Sequence, residues 1–156
     1  MLQGRRLALA KGLLLEWTAQ FYRRREYLAV IGFGGEQANL LQAPLKAVAF
    51  NTTWIAEIAG GGAPPAGSAV ALADAVLAKR RRSVRGQHVV LWLLTDARLD
   101  EIPPRPRQAD VCMVVDFDEG ALTLGRAARI AQAWGAQCWP AIELGGVAGT
   151  DTCTQV

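Results

Sequence analysis

The chain has 156 residues, of which 51% are hydrophobic and 20% charged, with a formal net charge of +3. This length suits one domain, and the apolar content is sufficient for a packed core, which excludes a disordered chain. No run approaches the roughly 18 apolar residues that a membrane span needs. The positive excess lies mainly in clusters 23–25 and 79–85, which lack interleaved aromatic residues. We therefore expect neither membrane nor nucleic-acid binding.

The first third of the chain predicts a helix followed by a β-hairpin. Apolar residues recur three and four positions apart over residues 4–25, a spacing typical of an amphipathic helix. Two apolar runs, 27–33 and 38–43, then predict strands. Only a few residues separate these runs, so they must pair antiparallel. A short helix is expected over 52–58.

The rest of the chain alternates helices and strands. After a Gly-rich loop at 60–67, the expected elements are helix 68–82, strand 89–95, strand 111–115, helix 122–134 and edge strand 137–139. Unbroken apolar runs are typical of parallel strands that are buried on both faces. We expect an α/β domain over 1–144 with a Rossmann-like, doubly wound fold: a mostly parallel sheet, one antiparallel edge strand and helices on both faces. The small, polar segment 145–156 is expected to be a flexible tail.

Three carboxylates follow the apolar runs of the expected parallel strands. Asp96 follows one run, and Asp116 and Asp118 follow the next. Ligands of parallel α/β sheets bind outside the carboxyl ends of the strands, and clustered carboxylates suit magnesium. Two interpretations remain open: a metal site, or aspartates that cap helices and solvate loops. A small metal-dependent hydrolase using all three carboxylates is the alternative function, although the single histidine, His88, lies at the opposite end of its strand.

Nucleotide and redox sites are not predicted. The Gly-rich loop lacks the Gly-Lys-Ser/Thr ending that holds phosphate and magnesium in a P-loop. The three cysteines, Cys112, Cys138 and Cys153, have no metal-type spacing, and two lie in apolar runs. We expect reduced core thiols in a cytoplasmic protein.

Several segments together resemble one known family. They include Leu-Trp-Leu-Leu-Thr-Asp, which ends at Asp96, and Gly-Gly-Gly-Ala-Pro, which ends at Pro64. The matching segments are 4–12, 28–36, 40–44, 60–64, 91–96, 114–116 and 124–135. Their order and spacing resemble the von Willebrand factor A domain at the C-terminal end of magnesium chelatase D subunits and cobalt chelatase-like proteins. The resemblance covers about residues 1–144 and implies a von Willebrand A fold.

The resemblance implies a degenerate metal-ion-dependent adhesion site. Family members hold magnesium with an Asp-x-Ser-x-Ser motif after the first strand, a threonine in the Gly-rich loop and an aspartate after the central strand. Asp96 matches that aspartate, whereas Ala63 replaces the threonine and the first motif is absent from the sequence. Magnesium binding is therefore expected to be weak or absent.

The family's first strand is also missing from the sequence. One hypothesis is that the natural reading frame extends upstream of Met1 and encodes the strand and its motif; the other is a degenerate domain that has lost metal binding. Without that strand, the sheet has a gap beside runs 27–33 and 89–95. We then expect marginal stability, or self-association in which a neighbouring chain supplies a strand.

The function that the resemblance implies is that of a protein-interaction platform without enzymatic activity of its own. In this family, such a domain links an AAA+ ATPase to the other chelatase subunits. The interaction surface is expected at Gly61, Gly62, Ala63, Pro64, Asp96 and Arg98.

Overall fold

The computed structural model describes residues 4–34, 37–46, 66–96, 98–99, 101–118 and 125–144. Its elements are α1 Arg5–Arg23, β1 Tyr27–Gly34, β2 Gln37–Lys46, α2 Ala66–Ser83, β3 Val90–Thr95, β4 Val111–Asp116, α3 Arg126–Trp134, β5 Gln137–Pro140 and α4 Ala141–Leu144. The expected helix at 52–58, most of the Gly-rich loop and the tail lie outside the described residues. No helix in these ranges is long and apolar enough to cross a membrane.

Glycines mark both ends of α3. The sequence pattern predicted a helix from residue 122, but α3 begins at Arg126. Gly125 precedes it with a φ of 59°, a left-handed conformation that stops the helical pattern from extending back through this position. Gly135, with a φ of 60°, ends the helix, and its N–H donates to the carbonyl of Gln132. Gly135 is therefore the C-terminal glycine cap of α3.

The last three strands form a parallel sheet in the order β3-β4-β5. The middle strand is β4, whose Val114 and Val115 are fully buried. This burial explains the unbroken apolar run, since both faces of β4 are covered. β3, predicted to be central, has a single strand neighbour among the described residues.

The hairpin β1-β2 forms a separate two-stranded sheet. Its antiparallel pairing confirms the prediction, with register irregularities between Leu28 and Ile31. The described strands do not join this hairpin to the parallel sheet, so the single sheet that the sequence predicted is replaced by two. The difference lies at the expected gap between runs 27–33 and 89–95, where β1 and β3 border a common cavity.

Helices cover both faces of the parallel sheet, as predicted. On one face, α2 and α3 pack in a core cluster that contains Val114, Ile130 and Trp134. On the other face, α1 and α4 pack around Val115 and Phe117. Trp17 of α1 contacts Trp92 of β3 on this second face, with ring centroids 4.7 Å apart. The parallel sheet thus lies between two apolar clusters, one on each face.

Candidate functional site

The carboxyl edge of the parallel sheet carries the three predicted aspartates. Asp96 follows the last residue of β3, and Asp116 is the last residue of β4. Thr95 and Asp116 are register partners, so the two strands end side by side. The prediction that these carboxylates lie at one edge is confirmed, because parallel strands that start in register also end in register.

Asp96 is a buried carboxylate beside an exposed arginine. Its side chain is 3% exposed, whereas that of Arg98 is 68% exposed. The Arg98 backbone N–H donates to Asp96 Oδ1 at 3.3 Å, and Arg98 Nε lies 4.0 Å from Oδ2. The two charges lie at the distance limit of an ion pair, and the solvent around the exposed guanidinium weakens their attraction.

Asp116 and Asp118 form a second carboxylate pair with a cation from α1. The Asp118 N–H donates to Asp116 Oδ1 at 2.8 Å. Arg6 Nη2 donates to Asp118 Oδ1 at 3.1 Å, which attaches the first turn of α1 to this edge. Burial raises the pKa of Asp116, the hydrogen bond from Asp118 opposes the rise, and the charges of Asp118 and Asp96 add to it.

This donor set does not fit a magnesium site. The described part of the chain contains no group of three histidine, cysteine or acidic side chains arranged to hold a metal ion. Asp118 is paired with Arg6, and Asp96 has a guanidinium beside it. The three-aspartate metal site of the alternative hydrolase is therefore wrong in the described structure. Asp96 as a single ligand of a degenerate site stays a prediction.

His88 lies at the amino edge of the sheet, opposite the aspartates. Its Nδ1 is 3.7 Å from Asp110 Oδ2, and its side chain is 67% exposed. This histidine cannot serve as a base for the carboxyl edge. A hydrolase would need a nucleophile or base that the described residues of that edge do not present.

The predicted interaction surface is described only in part. Asp96 and Arg98 are neighbours at the carboxyl edge. Gly61, Gly62, Ala63 and Pro64 lie outside the described residues. Sequence reasoning missed Arg6, whose contact with Asp118 joins positions 112 residues apart. No local pattern marks this contact, because it depends on where α1 starts relative to the sheet.

The two described cysteines are core thiols. Cys112 is buried in β4, and Cys138 is half-buried in β5. Burial raises the pKa of both thiols and keeps them protonated and unreactive. The predicted placement of these two cysteines in the core is confirmed; Cys153 lies outside the described residues.

A large apolar cavity lies between the two sheets. It has a volume of about 550 Å³, and its walls are α1, β1, α2 and β3. The cavity extends along β3 as far as Asp96, so it reaches the carboxyl edge.

Fold and edge together define an α/β domain with a helix-covered parallel sheet, a separate hairpin and a buried aspartate at the carboxyl edge. In sequence, the chain is 33% identical over 93 residues to the magnesium-chelatase 60 kDa subunit of Cereibacter sphaeroides, covering 60% of this chain and 16% of that protein. It is 28% identical over 142 residues to the uncharacterized protein Rv2850c of Mycobacterium tuberculosis, covering 84% of this chain and 23% of that protein. The chain thus spans less than a quarter of either relative.

No family model matches the chain, and no solved structure matches it. Over those 93 residues, the chain is thus similar to part of a magnesium-chelatase subunit.

Proposed function

We propose that this chain is a non-catalytic interaction module of a magnesium chelatase-type assembly. In this role it couples an AAA+ ATPase partner to chelatase subunits in the cytoplasm. The proposal joins the similarity to a magnesium-chelatase subunit with the von Willebrand A resemblance of the sequence. The supporting structure is an α/β domain whose carboxyl edge presents charged groups directly after strands with buried residues.

The observation that carries the proposal is the pair of Asp96 and Arg98. The Asp96 carboxylate, 3% exposed, accepts the backbone N–H of Arg98, and the Arg98 side chain, 68% exposed, faces solvent beside it. Arginine is enriched among the residues that dominate protein interfaces, and its guanidinium can bind a partner carboxylate through two hydrogen bonds. The proposed contact surface is therefore Arg98 with its neighbours at the carboxyl edge, and the partner presents an acidic group to it.

The proposal treats the metal-ion-dependent adhesion site as degenerate. Ala63 has no oxygen to offer, and the guanidinium of Arg98 already places a positive charge next to Asp96. Isothermal titration of the chain with magnesium chloride is expected to show no binding below millimolar concentrations. A micromolar dissociation constant that is lost in Asp96→Asn would contradict this part of the proposal.

Binding to a purified AAA+ ATPase subunit of a magnesium chelatase tests the module directly. Arg98→Ala is expected to weaken binding by about tenfold or more, the range of an interface hot spot. Arg107→Ala is the matched control, since Arg107 is also an exposed arginine and its replacement removes the same positive charge. Its backbone N–H is bound by Asp74 on α2, away from the aspartate edge.

Both variants must keep the thermal midpoint of the unchanged chain, so that a loss of binding reports the surface and not the fold. Equal affinities for Arg98→Ala and Arg107→Ala would show that the carboxyl edge is not the contact. Absence of binding by the unchanged chain at about 100 μM ATPase, an affinity too weak for a specific assembly, would overturn the partner assignment.

A further inference from the structure

Two basic clusters that are far apart in the sequence meet at the amino edge of the parallel sheet. α1 ends at Arg23, directly before β1, and α2 ends at Ser83, shortly before β3. The guanidinium of Arg80 lies 4.1 Å from the ring centroid of Tyr27 at the start of β1, and it donates to Gln87 Oε1, just before β3, at 2.9 Å. The C-terminal ends of the two helices are therefore neighbours.

The hairpin adds a further cation to this edge. Lys46, the last residue of β2, is the register partner of Tyr27. We define the basic surface as the exposed cations of these three elements and the turns that follow them: Arg23, Arg24, Arg25, Lys46, Lys79, Arg82 and Arg85. Because three separate segments supply it, the surface exists only in the folded chain.

Acidic side chains balance little of this charge. Glu26 and Asp110 are the described acidic residues next to these cations. Asp110 already accepts from Arg81 Nη2 at 2.8 Å and from the Val89 N–H at 2.7 Å. No side chain of the basic surface forms an ion pair with a carboxylate in the described part of the chain. An anionic partner would therefore meet cations that the fold itself does not neutralise.

Arg25 is kept in this surface in a strained conformation. Its φ is 56°, in the left-handed region, at a helix end where glycine is the favoured residue. The Glu26 N–H donates to Phe21 O at 2.9 Å, which closes the turn around it. Strain of this kind in a residue other than glycine is concentrated at functional positions. The chain thus holds a cation where glycine would fit with less strain.

We propose that the basic surface binds an acidic segment of a partner polypeptide. Guanidinium groups bind carboxylates through paired hydrogen bonds, and most cations of the surface are arginines. Single-stranded nucleic acid fits less well, because its bases stack on open aromatic rings and Arg80 already covers the ring of Tyr27. The surface lies at the opposite edge of the sheet from Arg98, so this inference is independent of the proposed function.

Fluorescence anisotropy with a labelled acidic peptide tests the surface. The peptide has about twelve residues, alternating glutamate and glycine, and it is titrated with the chain at low ionic strength, where surface charges are least screened. The unchanged chain is expected to bind with a dissociation constant below about 100 μM. The triple variant Arg24→Ser, Arg82→Ser and Arg85→Ser is expected to bind about tenfold more weakly.

The matched control is the triple variant Arg5→Ser, Arg107→Ser and Arg129→Ser. These arginines are also exposed, but they lie outside the basic surface, so the net charge changes equally. The control is expected to keep the affinity within about twofold, and both variants must keep the thermal midpoint of the unchanged chain. Equal weakening in both would assign binding to net charge and overturn the proposal, as would absence of binding by the unchanged chain at about 100 μM.

A competing oligonucleotide tests the class of partner. Oligothymidylate of the same length is expected to displace the peptide no better than unlabelled peptide does. Displacement at a tenfold lower concentration, lost in the Arg24, Arg82 and Arg85 variant, would assign the surface to nucleic acid and overturn the proposal.

A single substitution tests the strained residue. Arg25→Gly is expected to raise the thermal midpoint by about 2 °C, because glycine adopts the left-handed conformation without strain. The same variant is expected to weaken peptide binding about twofold, because it removes one cation of the surface. A higher midpoint with weaker binding supports the proposal. Unchanged affinity, or a lower midpoint, would show that Arg25 is not kept for binding and would contradict it.

Discussion

β1 of the hairpin and β4 of the parallel sheet are both apolar strands, but they differ in how completely they are buried. In β4, Val114 and Val115 have no exposed surface. No residue of β1 or β2 reaches the same class of burial, although the run 27–33 is as apolar as the run 111–115. Sequence hydrophobicity therefore does not by itself fix burial, which depends on what surrounds each strand.

Neighbours explain the contrast. β4 has a strand on both sides and helices on both faces. β1 has β2 on one side and the cavity on the other. Apolar side chains that line a cavity lose dispersion contacts even where they are shielded from bulk water. The parallel sheet is accordingly the more completely buried half of the molecule, and the hairpin is the half that borders the cavity.

The Pro-rich segment 101–110 is bonded to the helices that cover the parallel sheet, despite its polar sequence. Trp134 Nε1 donates to Pro103 O at 2.9 Å, and Arg105 Nε donates to Trp134 O at 2.8 Å. Asp74 accepts from the backbone N–H groups of Arg107 and Gln108 at 2.9 Å each. These bonds tie the loop to α2 and α3 and close the core beneath it.

The largest expected effect contrasts the two halves directly. Trp134→Ala removes a side chain that is 2% exposed and its hydrogen bond, and is expected to reduce the free energy of unfolding by about 3 to 5 kcal/mol. Leu40→Ala in β2, where the side chain is 41% exposed, is expected to cost less than about 1 kcal/mol. Urea denaturation measures both. Similar losses would show that the hairpin is packed as tightly as the parallel sheet.

A second prediction concerns the hydrogen bonds that Asp74 accepts from the Pro-rich segment. Asp74→Ala leaves the N–H groups of Arg107 and Gln108 without their carboxylate, and is expected to cost about 1.5 to 3 kcal/mol. Asp74→Asn keeps an acceptor oxygen and is expected to lose less than half as much. Urea denaturation gives the free energies, and hydrogen exchange at the two amides localises the change. Unchanged exchange at both amides in Asp74→Ala would show that Asp74 does not protect them.

Enlarging a side chain distinguishes a filled core from a cavity. Ala127 in α3 has no exposed surface, so Ala127→Leu is expected to overpack the core and cost about 1 to 3 kcal/mol. Ala73 in α2 lines the cavity, so Ala73→Leu is expected to change the free energy of unfolding by less than about 0.5 kcal/mol, or to stabilise. Thermal denaturation compares the two. A cost at Ala73 equal to that at Ala127 would mean that the cavity cannot receive side chains.

Local patterns predicted most elements because each strand or helix has its own periodicity. The run 111–115 became β4 almost residue for residue, and the hairpin followed from the short distance between two runs. The start of α3 was missed because helical periodicity continues N-terminally through Gly125, whose left-handed conformation is not encoded by apolar spacing.

Contacts between distant residues were the part that sequence could not supply. The aspartates were placed at the correct edge, because strand ends are visible in the pattern. Their partners were not, because Arg6 lies 112 residues before Asp118 and no local pattern links the two positions. Arg81, which the sequence showed only as part of a basic cluster, donates to Gln108 O and Asp110 because the loop before β4 folds back onto α2.

The smallest expected effects are on the pH dependence of the free energy of unfolding, which is expected to have opposite signs at the two edges of the parallel sheet. Hydrogen bonds from Val89 N–H and Arg81 hold the pKa of Asp110 below its usual value. The charged form thus stabilises the fold above the unfolded pKa, and this contribution is lost as the pH falls through the lowered folded pKa. Asp110→Asn is therefore expected to be less stable than the unchanged chain at pH 7, with the difference vanishing in acid.

Asp116, at the opposite edge, is expected to show the reverse sign. Burial raises its pKa, so the folded state takes up a proton before the unfolded state does, and stability rises as the pH falls toward the unfolded pKa. Asp116→Asn keeps an acceptor for the Asp118 N–H and removes the buried charge, so it is expected to be more stable than the unchanged chain at pH 7 and equal to it in acid. Urea midpoints from pH 7 downward measure both variants. The same sign in both would mean that burial does not govern the carboxyl edge, and that Asp116 is stabilised there as an anion.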